Sequence, residues 1–520
     1  MSRGRGPVAM LLAAALVATL AVQAVVRQRR DVLVPPPKSV SRLSGLDTFA
    51  LSLVLGGLRG PLAMALWHSV EEQKIDRNLE DVDTKIELIR MLQAEFDQVH
   101  IFQIWNKAYN LSVQMASLPN KYATILSALD YARSADAERP DNVNILYAIA
   151  DVYFNKLGDS AEKRYYTPRL RQETRAAPEI QQQTQTPGRL RRIRHQPLLD
   201  AGGFLLPQYL QPRMAPLGSG PDAYNGAELQ YLARYNTADE GGFPYGVSPF
   251  ALAYNYCKRA NELSRATGQR HLQLSEAVLD SRGAIALNKW SYEERERALQ
   301  AELRAAGRKI VPNRGELEVA AIDLPWAAGL SDASADRRDA LAEAIFSFRR
   351  SAHVCAHAVE EYRRHVANQT FYNTFVYLSH IDTMLTIQYL SEADLHYASL
   401  LSARTAFSPP LVPPERADAL RAEAARWYRK AIDQSYFTML KYYVEEAVSS
   451  KLYPEVTQKM LGRGYDRNTL HQADPSVYPA LRKAVDEHYR KLNQRDPLAE
   501  DSIEFLTYIH RAQQRLERLQ

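Results

Sequence analysis

Apolar side chains recur along this chain at three- and four-residue steps. Ile75, Leu79, Val82, Ile86, Ile89, Leu92 and Phe96 follow one another in this way. That spacing lays one apolar stripe along a helix and predicts a helix over 75–96. Comparable stripes predict helices near 99–117, 121–137, 142–157, 249–267, 271–305, 335–367, 370–405, 415–449, 476–493 and 498–519. Ser291-Tyr-Glu-Glu294 has the form of a capping box and predicts a helix start. Alternating runs of useful strand length are missing. The expected fold class is all-α.

Two apolar stretches near the N-terminus break the amphipathic pattern. Pro7 to Val26 carries no charge. At about 1.5 Å per residue it spans about 30 Å, the thickness of a bilayer core. Arg3 and Arg5 precede it, and Arg27, Arg29 and Arg30 follow it. The expectation is a single-pass anchor. The alternative is a signal peptide cleaved near Val22-Gln23-Ala24, which would release the chain into the periplasm. The flanking positive charges are balanced and give no strong orientation. Phe49 to Trp67 is also apolar but holds Arg59 at its centre, with Gly56, Gly57, Gly60 and Pro61 around it. A central Arg costs roughly 2.5–3.5 kcal/mol in a bilayer. A broken pair of short buried helices is therefore expected there, with a second membrane span as the alternative.

Composition shifts divide the rest. Residues 1–34 form the anchor, with its transmembrane helix at 7–26. Residues 35–45 form a spacer stiffened by Pro35-Pro36-Pro37. Residues 46–166 read as a helical domain, and 167–223 as an Arg/Gln/Pro-rich insertion with little periodicity. Residues 224–407 return to helix. Residues 408–414, SPPLVPP, make a connector, and 415–520 form a C-terminal helical domain.

A repeat signal lies in the first helical domain. Ala128, Ala132, Ala135 and Pro140 have the offsets of the second helix of a tetratricopeptide unit. In the same 34-residue register, Leu146, Ile149, Ala150 and Tyr153 suit the first helix of the next. Fainter echoes are Ala253, Cys257, Ala260 and Ala424, Tyr428, Ala431. The expected architecture is a degenerate tetratricopeptide-like helical-repeat solenoid behind an N-terminal transmembrane helix. A generic helical bundle is the alternative, because Ala is common wherever helices touch.

Leu55-Gly56-Gly57, Arg59-Gly60, Trp67, Val99, Phe102-Gln103, Trp105-Asn106, Ala108-Tyr109-Asn110 and Ser112-Val113 form an extended motif. It resembles a family of bacterial, planctomycete-type, membrane-anchored tetratricopeptide-like proteins of uncharacterised function. The resemblance covers about residues 45–160 and extends loosely to Gly242–Tyr256. It implies topology and fold, and no particular activity.

The 520 residues carry 65 Lys+Arg against 60 Asp+Glu, a net +5 that is no nucleic-acid signature by itself. The charge is uneven. Lys163, Arg164, Arg169, Arg171, Arg175, Arg189, Arg191, Arg192 and Arg194 face only Glu173 and Glu179 within their span. Arg189, Arg191, Arg192 and Arg194 are candidates for contact with anionic lipid headgroups. A solvated loop is the simpler reading of the same run. Aromatic interleaving is poor, so nucleic-acid binding is not expected.

The two Cys exclude a disulfide framework, and Cys257 and Cys355 read as small buried hydrophobes. His353, His357, Glu361 and His365 recur at four-residue steps and form the best metal candidate. Such steps drift about 40° each against a 3.6-residue turn, so a pair plus Glu361 is the most that one ion would meet. A plain polar helix face is the simpler reading. Trp105, Asn106, Tyr109 and Asn110 lie on adjacent turns and are candidate partner-binding residues, with core packing as the alternative.

No nucleophile elbow, phosphate loop or dinucleotide fingerprint is present. A protein-interaction scaffold or adaptor is therefore expected, with a protein or peptide partner, no cofactor and no catalysis. Its expected place is the bacterial inner membrane, with the soluble part on the periplasmic side. The alternatives are a structural subunit of a cell-envelope complex and a metal protein or enzyme using the His353/His357/Glu361 face.

Overall fold

The computed structural model describes residues 59–75, 81–92, 96–174, 246–274, 276–309, 311, 317–318, 320–321, 329–368, 374–408, 410–449 and 503–520. The anchor 7–26, the spacer 35–45, Arg189, Arg191, Arg192, Arg194 and the helix expected at 476–493 lie outside them. Among the described residues all regular structure is helical, and the fold is all-α. Among them, no helix is long and apolar enough to cross a membrane.

In chain order the main helices are α1 (Arg59–Ile75), α2 (Val82–Leu92), α3 (Asp97–Trp105), α4 (Ser112–Gln114), α5 (Leu118–Glu138), α6 (Val143–Asp151) and α7 (Lys163–Thr174). They continue with α8 (Pro249–Thr267), α9 (Glu276–Ala305), α10 (Ala335–Asn368), α11 (Thr374–Arg404), α12 (Ala417–Ser449) and α13 (Ile503–Leu519). Two π-helical stretches, Asn106–Leu111 and Val152–Gly158, follow α3 and α6 without a break.

Three sequence expectations change. The stripe over 75–96 is not one helix: Ile75 ends α1, α2 covers only Val82–Leu92, and Phe96 stands exposed before α3. Asp81, at φ 61°, takes a left-handed turn just before α2. The capping box at Ser291 is not a helix start, since it falls inside α9. Ser291 Oγ donates back to the Asn288 carbonyl at 2.7 Å, and Glu294 accepts from the Trp290 indole at 2.8 Å. Both side chains are buried, and Ser291 also contacts Met384 of α11 and Ser351 of α10, so tertiary partners override the local signal. Finally, α7 runs eight residues into the segment read as unpatterned.

The chain folds as two compact units. The first holds residues 1–156 and 262–272, the second 157–261 and 273–520. In the first unit Val70, Val82, Ile86, Ile89 and Val99 form a core that Leu66, Trp67 and Phe102 flank. Ala128, Ala132 and Ala135 are buried on α5, and Leu146, Ile149, Ala150 and Tyr153 are buried on α6 and the stretch after it. Ser117 caps α5, and Asn142 caps α6 by accepting from the Asn144 and Ile145 amides at 2.9 and 3.2 Å.

In the second unit the long helices α9, α10, α11 and α12 each pack against the next, and α13 packs against α12. Leu411 and Val412 are buried, so the Pro-rich connector is pinned to the core. Gly246 has φ +84°, and a Cβ there would lie 1.9 Å from the Arg171 carbonyl oxygen. Only glycine fits that crossing of α7 and the strap before α8.

Candidate functional site

The first candidate lies where α3 runs into its π-helical stretch. Asp97 anchors the start of α3: its carboxylate takes Arg139 Nη1 at 2.6 Å and the Asn142 and Asn144 side-chain amides at 3.0 Å each. Four rings then follow in a row. Trp67 meets Phe102 edge-on at 5.1 Å, Phe102 lies 6.2 Å from Trp105, and Trp105 stacks on Tyr109 at 6.3 Å and 23°. The Lys156 ammonium sits 5.6 Å over the Tyr109 ring. Tyr109 donates its hydroxyl to Asp151 Oδ2 at 2.8 Å. π-Helical turns concentrate at functional sites, and Tyr109 lies within one of them.

The four partner-binding candidates divide by exposure. Trp105 is 37% exposed, and Tyr109 and Asn110 are half-buried. Asn106 is buried and accepts from Asn110 Nδ2 at 3.0 Å. Asn106 therefore positions Asn110 and does not face a partner. On a different face of the same helical stretch, Gln103 and Lys107 join Thr84, Glu87, Leu88 and Tyr131 in lining an open hollow of about 440 Å³.

The metal candidates lie on α10 in the second unit, and His357 and Glu361 already have partners. His357 Nε2 shares a 2.6 Å hydrogen bond with the Tyr254 hydroxyl. Glu361 Oε1 takes Lys258 Nζ at 2.9 Å and Arg364 Nη1 at 3.1 Å, and lies 3.6 Å from His357 Nε2. Burial pushes the His357 imidazole down to about 4, more strongly than Glu361 and Glu360 raise it. His353 and His365 are buried on the same helix. Among the described residues no three His, Cys, Asp or Glu side chains are grouped to hold a metal ion. Cys257 and Cys355 are buried and form no disulfide, and burial pushes the Cys355 thiol up to about 12. The basic run loses a member too: Arg171 is buried and paired with Glu293 at 2.7 Å.

Sequence reasoning missed a third constellation, a cluster of six buried charges in the second unit. Arg295 and Glu302 come from α9, Glu318 from the segment after it, Asp394 from α11, and Arg511 and Arg515 from α13. Arg295 donates Nε to Glu318 Oε1 at 2.8 Å and pairs with Asp394 Oδ2 at 3.1 Å. Arg511 bonds Asp394 Oδ2 and pairs with Glu318 at 3.0 Å. Arg515 donates to Asp394 Oδ1 at 2.8 Å and to Glu302 Oε2 at 2.9 Å. Tyr428 donates to Asp394 Oδ1 at 2.7 Å.

Burial pushes each carboxyl up, and the arginines oppose it with different success. Arg511, Arg515 and Arg295 hold Asp394 down at about 2, and Arg295 and Arg511 hold Glu318 below its ordinary value. At Glu302 burial outweighs Arg515, and its carboxyl sits high. The available signal was charge inside an apolar stripe. Arg511 and Arg515 interrupt Tyr508, Ala512 and Leu519, and Asp394 sits among Leu390, Ala393, Leu395 and Ala398.

No family model matches the chain, and neither a curated protein nor a solved structure matches it.

Proposed function

We propose that this chain is a helical-repeat scaffold that binds a protein or peptide partner through the aromatic row of its first unit. The observation that carries the reading is Trp105: a large indole, over a third exposed and stacked on Tyr109. Aromatic anchors fixed by their neighbours make the strongest contacts in interfaces. The hollow offers Leu88 and Tyr131 for an apolar side chain, with Lys107 and Glu87 at its edge to orient it.

The repeat assignment rests on the small residues buried on α5, and on neighbour-to-neighbour packing of α9 through α13. The membrane assignment rests on the uncharged segment 7–26. Confined there, the scaffold would meet its partner at the membrane surface, as the family resemblance suggests.

A displayed peptide library selected on the full chain tests the reading. Selected peptides should quench Trp105 fluorescence, and Trp105→Ala should weaken them about tenfold or more. Tight peptides that ignore Trp105→Ala, Tyr109→Ala and Lys107→Ala alike would remove this face from the proposal.

A further inference from the structure

The buried charge cluster is shared unequally between α13 and the cleft that receives it. The cleft supplies three carboxylates, Glu302, Glu318 and Asp394, and one cation, Arg295. α13 supplies both remaining cations, Arg511 and Arg515, spaced four apart and so on one face. Without α13 the cleft would hold two uncompensated negative charges. With it, each guanidinium spans two carboxylates, and the Arg515 group also lies 4.9 Å over the Tyr397 ring. A planar guanidinium fork suits such bridging, whereas an ammonium does not.

Permanent docking of a helix is achieved more simply with apolar side chains, since a buried ion pair is roughly neutral against them. What buried charge adds is selectivity, because a helix without the matching pair leaves carboxylates stranded. The fit of α13 is also incomplete: Glu302 Oε1, Arg511 Nε and Arg515 Nε are buried without a hydrogen-bond partner. A groove that reads two charges, and is not saturated by its present occupant, has the properties of a receptor.

We propose that the cleft formed by α9, α11 and α12 is a binding site for an amphipathic helix carrying two arginines one turn apart. α13 is the chain's own occupant of that site, and a matching helix supplied in trans displaces it. Tyr508 and Ile509 before the pair, Ala512 within it and Leu519 after it supply the apolar contacts of the motif, and His510, Gln513 and Glu517 face solvent. This site lies in the second unit and is independent of the aromatic row.

The test uses the full-length chain and a fluorescent synthetic peptide of residues 503–520. Anisotropy should show saturable one-to-one binding, with a Kd of roughly 100 μM because the tethered helix competes. A peptide with both Arg511→Ala and Arg515→Ala should bind at least tenfold more weakly, and Arg→Lys at both positions should also fall short of the parent. Hydrogen exchange should show that the peptide deprotects 503–519 of the chain and leaves α10 unchanged. The proposal is overturned by no saturable binding up to about 1 mM. It is equally overturned by undiminished binding of the double-Ala peptide, or by a bound peptide that leaves α13 protected.

Discussion

The two units treat polarity in opposite ways. Among the described residues every exposed large hydrophobic side chain belongs to the first unit: Leu62, Met64, Leu88, Phe96, Trp105, Val113, Leu118 and Leu272. The described part of the second unit exposes no large hydrophobic side chain and instead buries a cluster of six charges between long helices. Apolar surface left in water is available for contact, whereas charge taken out of water constrains which helices can pack. The sharpest way to break this contrast is to remove the acid at the cluster's centre. Asp394→Ala strands Arg295, Arg511 and Arg515 against two carboxylates. Chemical denaturation should show a loss of roughly 3–5 kcal/mol. Exchanging the whole cluster for apolar side chains of similar volume should cost far less, because no charge is left unpaired.

The next effect is steric. Gly246→Ala places a methyl group 1.9 Å from the Arg171 carbonyl in a backbone with φ +84°. Neither the chain nor α7 can relax cheaply, and roughly 3 kcal/mol of stability should be lost. Gly268, at φ +70° with open space around it, is the control. Gly268→Ala should cost about 1 kcal/mol, from the left-handed backbone alone.

A pH titration separates the polar groups of the second unit. His357 faces Tyr254 and Lys258 from α8, and Glu360, Glu361 and Arg364 from its own helix. Its folded value of about 4 lies below the ordinary histidine value, so between about 6.5 and 4 the unfolded chain takes up a proton that the folded chain refuses. Stability should therefore fall as pH drops through that window, by roughly 2–3 kcal/mol. His357→Gln should reduce the slope, and His396, which burial pushes down to about 3, should carry much of the remainder. Asp394 acts at lower pH: held at about 2, it keeps its stabilising charge above pH 4 and loses it between about 4 and 2. An unchanged slope between pH 6.5 and 4 in His357→Gln would contradict the burial assigned to His357.

Long, regularly striped helices were legible in the sequence, and their interruptions were not. α8 matches its expected span residue for residue, and α10 to within one, because periodic burial is all that fixes them. The stripe through 75–96 misled because a left-handed Asp81 turns the chain before α2, and periodicity carries no information about that turn. Ser291 misled because its capping signature is local, while its buried partners come from distant helices. At the candidate site, the spacing of Trp105 and Tyr109 foretold their stacking. It could not foretell that the π-helical stretch would bury Asn106 and leave Trp105 outside. The charge cluster was hidden for a related reason: a charged residue reads as surface, and only the assembled helices reveal that its partners are buried with it.

The smallest effect on stability should accompany the largest effect on binding. Trp105 is over a third exposed, and its ring neighbours Phe102 and Tyr109 remain in contact with Trp67 and Asp151 without it. Trp105→Ala should therefore lower stability by no more than about 1 kcal/mol, as for other partly exposed side chains away from a core. The far end of the row behaves differently. Trp67 packs against the Val70 and Val99 core, so Trp67→Ala removes buried apolar surface and should cost more. Thermal unfolding of the two variants, paired with peptide binding, distinguishes a recognition row from a packing row. Recognition requires that Trp105→Ala lose binding with stability retained, while Trp67→Ala loses stability first. Equal destabilisation by both would mean that the row is core throughout, and that the first unit's exposed apolar side chains serve no partner at this face.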